Sequence, residues 1–367
     1  MAEAAAPDDP VDRRPHVHRV SGPEAWESWY VRYPKVNRAH VVPRMYLRNF
    51  SDGEAVAVHV IEQPGSRVMS IGSVGTRKRF YRRHRPDGTP IDDIEWSLAQ
   101  AEAKAAPVLA QLGTTWPLPI DEKAGIGELF GLQLIRGPRW RRWWGQATGD
   151  WLDEQRAEVE PEKLAALEAA LTNDTYRLVH MLQVAHKMAT VFGSAHWTLV
   201  EFSSPLLATS DHPVVVWPLS VRARAPAATA ANVGVLETLE LRIPVSPTRL
   251  LLLTWRDVPD AHESRVSGTR YHAANANAFT VAEADAQWFH LPGRTPPVAS
   301  GRLLPLSTQL VAGYNAASAR GSERRLQASE IVNAQLGSED LPNAFDVVTI
   351  AGSSPGGEGA SGSRGSG

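Results

Sequence analysis

Cysteine is absent from the chain, and that absence excludes disulfides, thiolate nucleophiles, iron–sulfur clusters and cysteine zinc sites together. Any metal must therefore be held by His, Asp or Glu. No run approaches the roughly 20 uninterrupted apolar residues of a spanning helix, and the opening MAEAAAPDDPVDRRP lacks the apolar middle of a signal peptide. The expectation is a cytoplasmic chain with no membrane partner. A strong charge of either sign is also missing: 38 Lys and Arg face 40 Asp and Glu, for a formal net charge of −2. No global field draws the protein to nucleic acid. Basic residues do concentrate locally, from Arg77 to Arg85 and from Arg136 to Arg142. Three motifs are missing as well: the His-Glu-x-x-His zinc helix, the Gly-x-x-x-x-Gly-Lys phosphate loop and the dinucleotide Gly-x-Gly-x-x-Gly turn. No nucleotide cofactor is predicted.

With 43% hydrophobic residues, the 367-residue chain can bury one large core or two modest ones. Residues 1–20 are Ala-, Pro- and charge-rich and 353–367 are Gly/Ser-rich, so both ends are expected to be disordered tails. Residues 55–61 alternate as a short strand. From Ile94 the spacing changes to a helical period, with Ile94, Leu98, Ala101, Ala105, Val108, Leu109 and Leu112 on one stripe. A second helix runs over Lys123 to Leu134 and is interrupted at Gly137 and Pro138. Pro161 opens a third, and Asp174 is the expected cap of a fourth containing Leu178, Met181, Ala185, Met188 and Phe192. After Gly193 the texture turns to strands, at 197–202, 206–209, 214–217, 239–245 and 250–254, before an Ala-rich helix over 271–285. No internal repeat is found. Strand, helices, then strands predict an α+β fold: an N-terminal strand and loop region, a central helical bundle and a C-terminal, mainly antiparallel sheet.

Residues 39–50 read AHVVPRMYLRNF, which resembles the His-x-x-Pro-x-x-Tyr-Leu-x-x-Phe opening of the bacterial domain of unknown function 4238 family. Four further blocks agree in order. They are Phe80-Tyr81 with Glu95 and Glu102, GLQLIRGPRWRR from Gly131, HWTLVEF with LLATSDHPVVV from His196 to Val216, and IPVSPTRLLLL from Ile243. The resemblance implies a family domain over 38–292 and leaves 293–352 as a C-terminal extension. It implies no reaction. One departure is that the Thr-Ser-Asp-x-Pro block often carries Asn in the family where His212 stands here.

Candidate chemistry rests on polar residues in apolar surroundings. His40 can act as a general base or metal ligand, or can simply anchor the turn before Pro43. Glu95 and Glu102 lie seven apart on a helix, about 20° around its axis, where two carboxylates can hold a divalent cation or remain solvated at the stripe's edge. Gln133 and Arg136 share a helical face among apolar residues. A buried guanidinium there requires an anion, either Glu95, Glu102 or Asp211, or a substrate phosphate or carboxylate. Arg139, Arg141 and Arg142 alternate with Trp140, Trp143 and Trp144, a pattern suited to stacking on bases and equally to a helix end packed on the core. In Thr209-Ser210-Asp211-His212-Pro213, Asp211 can be a metal ligand or general base, or can bind turn amides. Ser210 lacks a nucleophile elbow. His180 and His186, six apart, face different sides of their helix and do not share a metal, and Asn275 and Asn277 fall in the Ala-rich helix.

Two readings follow from this set. In the first, the chain is a hydrolase acting on a phosphate-containing or other anionic substrate. His40 and Asp211 are its catalytic groups, Tyr46, Gln133, Arg136 and Arg139 bind substrate, and no cofactor is required beyond a divalent metal that Glu95, Glu102 or Asp211 can hold. In the second, the chain is a non-catalytic binding protein. The same residues then form a structural network, and nucleic acid contacts the Arg/Trp segment. Pairing of Arg136 with a protein carboxylate would favour the second.

Overall fold

The computed structural model describes residues 16–19, 29–32, 35–84, 88–218, 238–255, 263–300, 303 and 305–310. The expected tails fall outside this range, except that β1 (His16–Arg19) lies within 1–20 and pairs antiparallel with β2 (Trp29–Arg32). Next come β3 (Arg38–His40), the short helix α1 (Arg44–Arg48), β4 (Ala55–Val60), β5 (Arg67–Ser70), β6 (Thr76–Lys78), β7 (Arg83–His84) and β8 (Pro90–Ile91). Of these, β3 and β6 form a two-stranded ribbon in which Arg38 lies opposite Lys78 and His40 opposite Thr76.

The helical layer follows the predicted periodicity. α2 (Asp93–Gln111) buries Ile94, Leu98, Ala101, Ala105 and Leu109, the stripe read from spacing. α3 (Ile120–Ile135) stops before α4 (Pro138–Gln155) because Pro138 pushes Gly137 into an extended conformation, with ψ of 173°. α5 (Pro161–Leu171) opens on its proline as expected. α6 (Asp174–Gly193) is capped by Asn173, whose side chain accepts from the Thr175 amide at 2.8 Å, and not by Asp174. Asp174 sits one residue inside, where a carboxylate complements the helix N-terminus and pairs with Arg141 and Arg177. The backbones of α3 and α6 approach closely: a Cβ added at Gly131 would lie 2.7 Å from the Met188 Cβ and 3.1 Å from the Ala185 carbonyl.

Two sheets complete the core. The larger, in the order β11-β12-β13-β9-β14, joins β9 (His196–Glu201), β11 (Val215–Pro218), β12 (Thr238–Ser246), β13 (Arg249–Thr254) and β14 (Ser264–Ser267). Its pairings are antiparallel except β14 with β9. Trp197 meets Phe130 of α3 across this sheet at a centroid distance of 6.2 Å. Arg242 reaches α7 (Arg270–Ala282) by bonding Asn275. The smaller sheet, in the order β10-β15-β4-β5, sets β15 (Gln287–His290) between β10 (Thr209–Ser210) and β4, so residues 55–70 and 287–290 share one sheet. The fold is α+β.

Two expected elements are shorter than predicted. Residues 206–209 give only the two-residue β10, because the amides of Leu206 and Leu207 bond the Pro247 carbonyl instead of a ladder. The late helix ends at Ala282, since the amides of Asp285, Ala286 and Gln287 turn toward Asp211. Packing also continues beyond 292. Ala299 donates to the Ala274 carbonyl at 3.0 Å, and Leu306, just before α8 (Ser307–Leu310), is fully buried. Among the described residues no helix is long and apolar enough to cross a membrane.

Candidate functional site

Arg136 caps the end of α3 with its guanidinium buried and every edge engaged. Nε donates to the Val41 carbonyl and Nη1 to Glu102 Oε1, both at 2.9 Å, while Nη2 donates to the His40 carbonyl. The guanidinium also stands 5.9 Å from the Tyr81 ring, and the Tyr81 hydroxyl donates to the Arg136 carbonyl, one that the helix end leaves without a partner of its own. Glu95 adds its field to both groups. Glu95 and Glu102 of α2 thus flank one arginine. Of the three protein partners the sequence allows, the bonded one is Glu102. His40 meets Arg136 through its backbone carbonyl.

Asp211 is occupied in the same way. Its Oδ1 accepts from the Asp285 amide at 2.7 Å, and its Oδ2 accepts from Ala286 at 2.8 Å and from Gln287 at 3.0 Å. Burial nonetheless raises its pKa to about 6, against the pull of those amides. Arg139, at the start of α4, grips the same turn by bonding the Glu283 carboxylate and, at 2.9 Å, its carbonyl. His212 lies beside them. Burial, and then the positive charge of Arg139, lower its pKa to about 3, so its ring is neutral at pH 7. Tyr46, fully buried, donates its hydroxyl to the Pro244 carbonyl and shares a 3.0 Å bond with Thr209 two residues before Asp211.

A chain of bonds links these two centres. The Val41 amide donates to the Gly75 carbonyl at 2.8 Å, the Gly75 amide to Gln287 Oε1 at 3.2 Å, and the Gln287 amide to Asp211. His40, Arg136 and Glu102 therefore form one knot, while Asp211 and Arg139 close around the turn at 283–287 and Tyr46 holds Thr209 beside it. Gln133 is different. It is 2% exposed, and neither its amide oxygen nor its nitrogen has a hydrogen-bond partner among the described residues. Among those residues no group of three or more His, Asp or Glu could hold a metal.

A family model described as protein of unknown function (DUF4238) matches residues 38–329. The chain belongs to that family. No curated protein and no solved structure matches the chain. Membership of DUF4238 carries no reaction with it, so the chemistry must be read from side chains.

Two further features lie outside the candidate residues named from the sequence. On β12, Glu240 and Arg242 are both buried and pair at 2.6 Å. Glu240 also accepts the amides of Leu306 at 2.9 Å and Ser307 at 2.7 Å, while the Arg242 guanidinium lies 4.5 Å from the Trp217 ring. The other is the disposition of the basic residues. Arg139, Arg141 and Arg142 pair with Glu283, Asp174 and Asp285, and Trp143 and Trp144 are buried. On the β3–β6 ribbon and the residues flanking it, by contrast, Lys35, Arg38, Arg77, Lys78 and Arg79 are exposed, and none has a carboxylate partner among the described residues. Arg38 is held by the Ser73 carbonyl at 3.1 Å and Thr76 at 2.9 Å. Arg79 adopts a left-handed φ of 51° while its amide bonds the Asn37 carbonyl at 3.1 Å.

Proposed function

We propose that this chain is a non-catalytic binding protein for an anionic partner, and that nucleic acid docks on the β3–β6 ribbon. The observation that carries this reading is the contrast in charge pairing. Arg136 and Asp211 are committed to scaffold bonds and the α4 arginines to carboxylates, whereas five ribbon cations face solvent without one. Phosphate neutralisation needs only such unpaired cations along an exposed track. The reading takes the protein as bacterial and cytoplasmic.

A labelled oligonucleotide titrated by fluorescence anisotropy at low salt tests this. Wild type binds, and log affinity falls linearly with log salt. Replacing Arg77, Lys78 and Arg79 together with alanine lowers affinity about 10- to 100-fold and makes the slope shallower by about 2 to 3. An unchanged titration would remove the ribbon from consideration.

One observation favours the hydrolase as a second reading. The buried Gln133 amide lacks a partner among the described residues, as expected of a group waiting for substrate. Turnover of generic phosphoesters by wild type, lost in Gln133→Leu with folding intact, would decide for it.

A further inference from the structure

One face of the smaller sheet carries a histidine pair used by neither reading, with His59 half-buried and His290 buried. On β4, His59 lies opposite Trp288 of β15, and His290 lies opposite Ala57, which makes the two imidazoles diagonal neighbours on one face. Their Nε2 atoms are 3.1 Å apart. His59 stacks flat on the Trp288 ring, with centroids 3.7 Å apart and planes 4° from parallel. Behind each ring stands a backbone group. His290 Nδ1 lies 2.9 Å from the Leu291 carbonyl and its ring also hydrogen-bonds the backbone of Arg294, while the His59 ring hydrogen-bonds the backbone of Gly65, in a turn bent by left-handed residues at Glu62 and Gly65. A carbonyl only accepts, so the proton of neutral His290 sits on Nδ1 and its Nε2 presents a lone pair toward His59. An imidazole with one nitrogen tied to a backbone carbonyl and the other left open is how proteins orient a metal-binding histidine.

We propose that His59 and His290 form a two-imidazole site for a first-row divalent metal ion of the zinc type. With a metal–nitrogen distance of about 2.05 Å, the 3.1 Å separation gives a nitrogen–metal–nitrogen angle of about 98°, between octahedral and tetrahedral values. The described residues supply no third His, Asp or Glu, so the remaining positions go to water or to a donor atom from a ligand. Such a site is open, unlike the closed four-ligand sites that staple folds. It is independent of the ribbon and of Gln133.

Zinc titrated calorimetrically into the metal-free full-length chain tests this, with cobalt as a spectroscopic probe. Wild type takes up one equivalent, and the cobalt form shows visible ligand-field bands. His59→Ala and His290→Ala each lose affinity by at least about tenfold together with the bands. His16→Ala/His18→Ala, which removes the other closely spaced histidines, retains both. If either alanine variant unfolds, His59→Gln and His290→Gln replace them. The proposal is overturned if wild type takes up no stoichiometric zinc, or if uptake and bands persist in folded variants of both residues. Either result would leave the pair as a simple N–H···N hydrogen bond.

Discussion

Two stretches of this chain have nearly the same basic texture, and the fold treats them in opposite ways. Along 139–142, Arg139, Arg141 and Arg142 each find a carboxylate carried in by α6 or by the turn after α7. Along 77–83, Arg82 and Arg83 are paired with Asp92 and Asp93, yet Arg77, Lys78 and Arg79 remain without any such partner among the described residues. Local sequence cannot separate the two cases, because the deciding carboxylates lie far away along the chain: Asp285 is 143 residues from Arg142. An arginine cluster is therefore a docking surface only where tertiary structure withholds counter-charges.

If this contrast holds, scaffold charges should affect stability and ribbon charges should affect binding. The largest effect belongs to Arg136→Ala, which strands Glu102 and two carbonyls and should cost about 3–5 kcal/mol in urea unfolding. Next comes acid sensitivity. Folded His212 holds its proton less tightly than the unfolded chain, so its contribution is lost as pH falls from 6.5 toward about 3. Asp211, with its pKa raised from 3.8 to about 6, acts oppositely, favouring the fold as pH falls through that window. His212→Asn removes only the first contribution. Relative to its own stability at pH 7, the variant should therefore gain about 3 kcal/mol over wild type at pH 4, and parallel pH profiles would refute the burial of a neutral ring. The ribbon variant Arg77→Ala/Lys78→Ala/Arg79→Ala comes third, shifting stability by no more than about 0.5 kcal/mol while weakening nucleic acid binding. Smallest is Arg141→Ala, since its side chain is 41% exposed and its partner Asp174 is 49% exposed and keeps Arg177. It should cost at most about 1 kcal/mol and leave affinity unchanged.

α2 and α6 were readable from spacing because each buries a stripe, and β9, β12 and β13 because their residues are almost continuously buried. β5 and β6 were not. Arg67–Ser70 is exposed throughout and Thr76–Lys78 nearly so, and such strands exist only because β4 and β3 offer them a ladder. The candidate residues were recognisable as polar groups needing partners, but spacing left open whether protein or ligand supplies them. For Arg136 and Asp211 the answer lies in α2 and in the turn after α7. Glu240 and Arg242 did carry a local signal. Opposite charges at i and i+2 of an apolar strand must point to the same side, and their burial together follows from β12 lying inside the sheet.

The grip of Arg136 on the His40 and Val41 carbonyls has a dynamic consequence. A three-residue ribbon at a protein surface would ordinarily open and close freely, its amides exchanging with solvent in step with fraying. Here the strand opposite Arg77 and Lys78 is tied to an ion pair rooted in the helical layer, so releasing it means stranding a buried guanidinium. Amide hydrogens of the ribbon should therefore exchange at rates close to those of α3, which makes the cationic face a preset template, with its ordering cost met by folding before any partner arrives.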